Sequence, residues 1–512
     1  MALKTMNLDS STTAKKEAAP HTMADSYLWT ILLLGILLYL CHGAAVQFYR
    51  DDAVFAGALD QMSFGAYLAE RYRTWSSRIV LDGILVLLAR APFAVWKVCD
   101  TLVVLLLICS TRQLLGMPRK AGSLLIISIL FAFVPFGTLS TAGYIATTVN
   151  YLWPLSFGVY ALLPLRRAIC GEPQTLFETT TVICAMLLAG NMELSAALLT
   201  GFYACGVLYL LWNMHAAQTD AHAAQTDTRA AQTDAHAEQT DAPAAGYTKA
   251  LVSTPFSQLP RMLLVMLALA GCSVLYHLTC PGNTLRMAEE VTNWYPAYVT
   301  FSFGQKLSLG ALVTFPFYVT GMYEQMIFPL LTGLLMANSA MQKRPVGVRL
   351  MAALTFLASL VIGFPLRYLV AEGRIWHHSQ YYDLLANRYP SGHEYCLYSP
   401  GQVRLELILY VLLTLWLMLE IYMIFGKSFQ TAGLLIGLGG GLASHLVIGF
   451  SPTVYQSATR AGVFMTATCL ISAVYLVSQL QGYRRYLTIA ATAILAAVSV
   501  YFAWAIVPIS SM

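Results

Sequence analysis

The stretch 27-YLWTILLLGILLYLCHGAAV-46, running directly into 47-QFYRDDAVFAGALDQMSFGAYLAERYRTWSSR-78, decides the fold. Its first part is an uninterrupted apolar run of the length a helix needs to cross about 30 Å of hydrocarbon, roughly 20 residues. Its second part concentrates two adjacent aspartates (Asp51, Asp52), four arginines (Arg50, Arg71, Arg73, Arg78) and the group Trp75-Ser76-Ser77-Arg78. Ionisable side chains beside a membrane are costly to dehydrate, so their presence there asks for a reason.

The rest of the chain agrees with a membrane reading. Of 512 residues, 58% are hydrophobic and 11% are charged, against about 25% charged in an ordinary soluble protein. The mean hydropathy is +0.63. The net charge of +5 therefore does not signal nucleic acid, because the basic residues sit in short loops between apolar runs. The polar segment 1–26 lacks the pattern of a cleavable signal, so the run 27–46 is expected to remain as a first span. The ten cysteines form no C-x-x-C pair, which leaves zinc and redox motifs unsupported.

Hydropathy predicts an all-α, polytopic chain with about 13 spans. They fall near 27–46, 79–111, 121–139, 150–165, 175–190, 194–212, 260–278, 308–336, 350–371, 403–425, 430–448, 460–480 and 486–508. Arg90, Pro92, Lys97 and Asp100 interrupt 79–111, which reads as a short interfacial or half-crossing helix followed by a full one. Gly190-Asn191-Met192-Glu193 splits 175–212 in two. With the N-terminus in the cytoplasm, the compact basic groups Arg112/Arg119/Lys120, Arg166/Arg167, Lys343/Arg344/Arg349 and Arg484/Arg485 all fall on the inner side, as the positive-inside rule asks. The outward segments are then 47–78, 138–150, 191–193, 279–307, 372–402 and 449–459.

Four regions follow: a cytoplasmic tail (1–26), an N-terminal transmembrane half (27–212), a cytoplasmic linker (213–250) and a C-terminal transmembrane half (251–512). The linker carries four heptapeptide copies, AAQTDAH (216–222), AAQTDTR (223–229), AAQTDAH (230–236) and AEQTDAP (237–243). Alanine is their only apolar residue, so no coiled-coil seam exists, and the composition reads as a disordered or weakly helical tether.

The outward segments keep Arg50, Arg71, Arg73, Arg78, Arg286, Arg374, Arg388 and Arg460 against the topological trend. A guanidinium fork matches phosphate oxygens two at a time, so an anionic ligand accounts for such a set; ion pairs with Glu70, Glu289, Glu290 or Asp82 account for single members. Asp51 or Asp52 can serve as a general base, hold a divalent cation or cap the next helix. Asn150-Tyr151-Leu152-Trp153-Pro154 is either an interfacial anchor or part of a site. Asn191 and Glu193 lie between two spans, and Glu193 is either a second site carboxylate or a hairpin cap. Pro281-Gly282-Asn283 leads to Arg286, and Ser451-Pro452 to Arg460, where a helix start favours phosphate. His377, His378, Asp383, His393 and Glu394 fit no standard metal spacing, and Cys280 and Cys396 are a candidate disulfide. No P-loop, dinucleotide fingerprint or serine elbow occurs.

Taken in order over residues 30–480, these motifs resemble a bacterial multi-pass family related to GT-C glycosyltransferases and to O-antigen glucosyltransferases. The resemblance implies GT-C-like outer loops and interfacial helices, a bacterial inner (plasma) membrane, a polyprenyl-phosphate-linked sugar donor and a glycan or glycolipid acceptor. It implies catalytic roles for Asp51, Asp52 and Glu193. It implies substrate contacts for Arg50, Trp75, Arg78, Asn150, Tyr151, Trp153, Asn191, Asn283, Arg286 and Arg460. No cofactor is indicated beyond a divalent cation that the carboxylates could hold. A transporter or flippase, with charges at mid-depth, and a polysaccharide polymerase or ligase, using 372–402 as its large loop, are the alternatives.

Overall fold

Helix breaks fall where proline, glycine or polar pairs interrupt the apolar runs. The computed structural model describes residues 20–134, 139–236, 260–319, 327–363 and 401–480, with scattered positions to 497. The first group of helices is α1 (Pro20–Cys41), α2 (Asp51–Gly57), α3 (Phe64–Thr74), α4 (Ile79–Arg90), α5 (Phe93–Leu114), α6 (Ala121–Phe131), α7 (Tyr144–Thr147), α8 (Trp153–Ala161), α9 (Leu163–Cys170), α10 (Leu176–Ala189) and α11 (Glu193–His236). A π-helical turn, Thr148–Leu152, joins α7 to α8. The second group is α12 (Arg261–Thr279), α13 (Pro281–Trp294), α14 (Phe303–Val319), α15 (Ile327–Met341), α16 (Val346–Gly363), α17 (Gly401–Phe425), α18 (Phe429–Leu446) and α19 (Val454–Ser478). Among the described residues there is no strand, only the bridge Thr141–Gly143.

Among the described residues, seven helices are long and apolar enough to cross a membrane: Ser26–Ala44, Phe93–Leu114, Glu193–His215, Arg261–Thr279, Leu407–Phe425, Phe429–Phe450 and Gln456–Ser478. That is the make-up of a multi-pass membrane protein. The expected count of 13 spans is not confirmed by the described residues. Ala121–Phe131, Leu176–Ala189, Ile327–Met341 and Val346–Ile362 are apolar but shorter. Pro92 and Arg90 do divide 79–111, into α4 and α5, and 190–193 divides α10 from α11. The run 308–336 becomes α14 and α15, and 150–165 becomes α8 and α9, where Pro164 removes an N–H from the ladder. Helix α11 runs on through the first three repeat copies to His236. Loop 372–400, with its histidines and Cys396, lies outside the described residues, as does most of 486–508.

The helices divide by burial. In α19, 78% of the apolar window is buried inside the protein, against 11% for α1. Helix α19 is therefore the central post, and α1 faces the surroundings with Leu32, Leu33, Ile36 and Leu40 exposed. Residues Met465, Cys469 and Val477 of α19 join one core with α6, α15, α17 and α18. Val463, Phe464 and Ala467 join another with α4, α5, α7 and α8.

The segments that the sequence assigns to one side of the membrane meet at one end of the bundle. The Asp51 N–H donates to the Ala142 carbonyl at 3.1 Å. A side chain at Gly282 would meet Trp75 N and Tyr72 O at 2.6 Å, so only glycine lets α13 cross the end of α3 this closely. The Tyr298 hydroxyl donates to the Gly449 carbonyl at 3.1 Å. At the opposite end Arg112 and Arg119 lie over the Tyr27 ring, at 5.7 and 5.1 Å.

Candidate functional site at the loop end of the bundle

The centre of the site is Arg78, set between α3 and α4. Its Nε donates to Glu193 Oε2 at 2.8 Å, and its Nη2 lies 2.7 Å from the same oxygen. Nη1 donates to Asn150 Oδ1 at 3.4 Å, and the guanidinium sits 5.7 Å from the centre of the Tyr151 ring. Asn150 is held in turn by its Nδ2, which donates to the Ala146 carbonyl at 2.9 Å. Asn191 Oδ1 accepts from the N–H groups of Val80 and Leu81, both at 3.0 Å. It thereby satisfies two of the free N–H groups at the start of α4 that its own sequence leaves uncapped.

Two more arginines approach from the C-terminal half. Arg286 lies 3.5 Å from Glu290, one helical turn on in α13, and is close enough to Glu193 to act on its charge. Arg460 in α19 donates to Ser457 Oγ at 2.8 Å, while its buried Nε has no hydrogen-bond partner among the described residues. Burial pushes the Glu290 carboxyl above its ordinary range, against the lowering influence of Arg286, Arg460 and Arg78. One carboxylate thus lies within electrostatic reach of all three guanidiniums.

The adjacent aspartates part company. Asp52 is 1% exposed. Its carboxylate accepts from Ile145 N at 3.1 Å and Ala146 N at 2.8 Å. Gly143 makes room for it: φ is +116°, and a Cβ there would sit 2.5 Å from Asp52 Oδ1. Asp52 is thus engaged as a tie between α2 and the 141–147 segment. Asp51 instead reaches the surface, yet the protein around it withdraws enough solvent to raise its pKa, opposed by Arg460 and then Arg50. The turn that presents it is bent: Phe48 and Arg50 have φ of +58° and +55°, a region unfavourable for side-chain-bearing residues. Arg50 is pinned there by donating to the Thr141 carbonyl at 2.5 Å.

Trp153 and Trp75 both make contacts within the protein. The Trp153 indole N–H donates to Asp100 Oδ1 at 2.7 Å, inside the bundle. Trp75 carries the Arg71 guanidinium over its ring at 5.6 Å, and Arg71 pairs with Asp82 at 3.1 Å. Asn283 faces Ser77: its Oδ1 accepts from Ser77 N at 3.3 Å and its Nδ2 donates to Ser77 Oγ at 3.1 Å. Cys280 is a free thiol that donates to the Tyr72 carbonyl at 3.3 Å, and Cys396 lies outside the described residues. No group of three or more His, Cys, Asp or Glu side chains able to hold a metal occurs among the described residues.

Sequence reasoning missed Ser77 and His277 as site members and took Glu290 only as an ion-pair partner. His277 Nδ1 lies 2.7 Å from Ser77 Oγ, and Nε2 lies 2.8 Å from the Gly190 carbonyl. The available signal was a lone histidine inside the apolar run 260–278, because an ionisable side chain in such a run needs a partner. Comparison of the chain with protein-family models, with curated proteins and with solved structures finds no match.

Proposed function

We propose that the chain is an integral-membrane glycosyltransferase of GT-C type. It moves a sugar from a polyprenyl-phosphate donor to a surface glycan or glycolipid at the outer face of a bacterial inner membrane. The observation that supports this reading is the meeting of Arg78, Arg286 and Arg460 with Asp51, Glu193 and Glu290 at the loop end of the bundle. Guanidiniums suit a phosphodiester and the charge it gains on leaving, and a carboxylate suits the acceptor hydroxyl.

In this mechanism Asp51 takes the proton of the acceptor hydroxyl. The hydroxyl oxygen attacks the anomeric carbon as the bond to the phosphate oxygen breaks, inverting that centre. The polyprenyl phosphate leaves with the electron pair, its charge held by the arginines. Asp52, tied to two backbone N–H groups, holds the turn rather than the proton. Glu193 keeps Arg78 aimed. A transporter reading is less well supported, because the arginines gather at helix ends rather than along the spans.

The test is mass spectrometry of surface glycans from cells carrying wild type, Asp51→Asn or no copy. A sugar present with wild type and missing from both others supports the reading and names the donor. The same glycans in all three, with equal protein in the membrane, would sink it.

A further inference from the structure

Beneath the Arg78–Glu193 pair lies a hydrogen-bond chain whose protons can be counted. Asn283 has a fixed orientation. Its Nδ2 donates to the His277 carbonyl at 2.9 Å and to Ser77 Oγ at 3.1 Å, while its Oδ1 accepts from Ser77 N. Ser77 Oγ therefore already accepts one bond and has a single hydrogen to give. Three acceptors compete for it: His277 Nδ1 at 2.7 Å, Glu193 Oε1 at 3.4 Å and Asn283 Oδ1, already shared with Ser77 N, at 3.5 Å. The other ring nitrogen of His277, Nε2, faces the Gly190 carbonyl, which can only accept, so Nε2 carries a hydrogen. With a neutral ring, Nδ1 is bare and takes the Ser77 hydrogen. With a second proton on the ring, Nδ1–H points at Ser77 Oγ, and the hydroxyl turns its hydrogen to Glu193, whose charge makes it a stronger acceptor than the Asn283 amide oxygen.

We propose that His277 is a positioning residue that acts through the Ser77 hydroxyl on Glu193, so that binding of a phosphodiester anion by Arg78 is accompanied by uptake of one proton at His277. When the anion engages Arg78, the guanidinium gives up part of its bond to Glu193. The carboxylate, less neutralised at Oε2, then takes the Ser77 hydrogen at Oε1, and Ser77 accepts the Nδ1–H of the newly protonated ring. One proton enters from solvent, and no covalent bond is made or broken. Ser77 and His277 are 0% and 6% exposed, so water does not replace the missing bond in either state. Glu193 and Arg78 are the charged groups that act on the ring. The Tyr276 ring, 5.6 Å away on its own helix, completes the surroundings. The inference rests on the reading that Arg78 holds a phosphate.

By linkage, an anion whose binding takes up a proton binds more tightly as pH falls through the histidine range, and by at most tenfold per pH unit. The test uses the full chain in lipid nanodiscs and a short-chain prenyl phosphodiester, whose single charge does not titrate near neutrality. Affinity is measured from about pH 8 to about pH 5 for wild type, His277→Gln and Ser77→Ala. Proton release or uptake on binding is followed in weakly buffered solution. The expected result is several-fold tightening toward low pH with proton uptake in wild type, and a flat profile without uptake in both variants. Binding with the same pH slope in wild type and Ser77→Ala would overturn the relay while leaving the phosphate reading in place. Absence of binding to wild type would overturn both. Ser77→Ala is the smaller change, so it decides the matter should His277→Gln fail to fold.

Discussion

Two polar networks sit in this protein, and they are built on opposite principles. Around Asp100, within α5, every group is used. His42 Nε2 lies 2.8 Å from Asp100 Oδ2, and Trp153 donates to Oδ1. His42 Nδ1 faces the Leu38 carbonyl at 2.6 Å, and Trp96 donates to Thr148 Oγ1 at 3.0 Å. Both nitrogens of His42 are engaged, one by Asp100 and the other by the Leu38 carbonyl. Asp100 and His42 are 2% and 5% exposed. Around Arg78, by contrast, three guanidiniums share carboxylates from three segments, and Arg460 keeps a buried N–H with no partner among the described residues. A closed, satisfied network holds helices together. A buried guanidinium N–H that the fold leaves unbonded among the described residues is a place for an anion's oxygen.

The contrast is broken most sharply by Asp51→Asn. It should lower sugar transfer by about 10²–10⁴-fold, the usual size of a general-base contribution. The unfolding midpoint should not fall, because desolvation already disfavours the charged carboxyl and the amide carries no charge to bury. Asp100→Ala should do the reverse. It breaks the buried His42–Asp100 pair and leaves the Trp153 indole N–H without its acceptor, and should cost about 3–5 kcal/mol of stability, read by denaturation in micelles. Phosphodiester affinity of the folded fraction should be kept. Asp52→Asn should fall between, at about 1–3 kcal/mol: an amide offers one acceptor oxygen, so one of the Ile145 and Ala146 N–H groups loses its partner. If Asp52→Asn abolished transfer with no loss of stability, the roles given to the two aspartates would have to be exchanged.

The division between these networks was only partly legible in the sequence. The apolar runs and their breaks at Pro92 and Gly190 come from local chemistry, and the helices follow them. Arg78, Asn150, Asn191, Glu193 and Asn283 stand out because polar groups flanking apolar runs are few. Hydropathy alone leaves the number of crossings open. It measures how apolar a run is, and α6 and α10 are apolar enough but too short. Nor could it tell Asp51 from Asp52. Neighbours on a helix point about 100° apart, and which of the two turns inward depends on the 141–147 segment, more than 90 residues away. The same holds for Trp153, which sequence places beside Asn150 and Tyr151 but whose indole turns to Asp100. His277 and Ser77 are 200 residues apart and meet only after α12 has packed against α10 and α11.

Arg460→Gln gives the smallest effect and the finest test of the open network. Arg460 is the first of the two charges that hold the Asp51 pKa down against the raising effect of desolvation. Removing it lets the Asp51 pKa rise further. A general base works only when ionised, so the acid limb of the pH–rate profile already lies above the ordinary carboxylate range and should move to still higher pH in the variant. The sign for stability is opposite to that of a paired carboxylate. A carboxyl whose folded pKa exceeds its unfolded value destabilises the fold once ionised, so the variant should lose stability as pH rises through that window and keep it at lower pH. Phosphodiester binding should weaken at every pH, since one of three guanidiniums is gone. An unmoved acid limb alongside weakened binding would keep Arg460 as a phosphate ligand and assign the base to another carboxylate. Glu290 is then next to test, because it feels the same arginine.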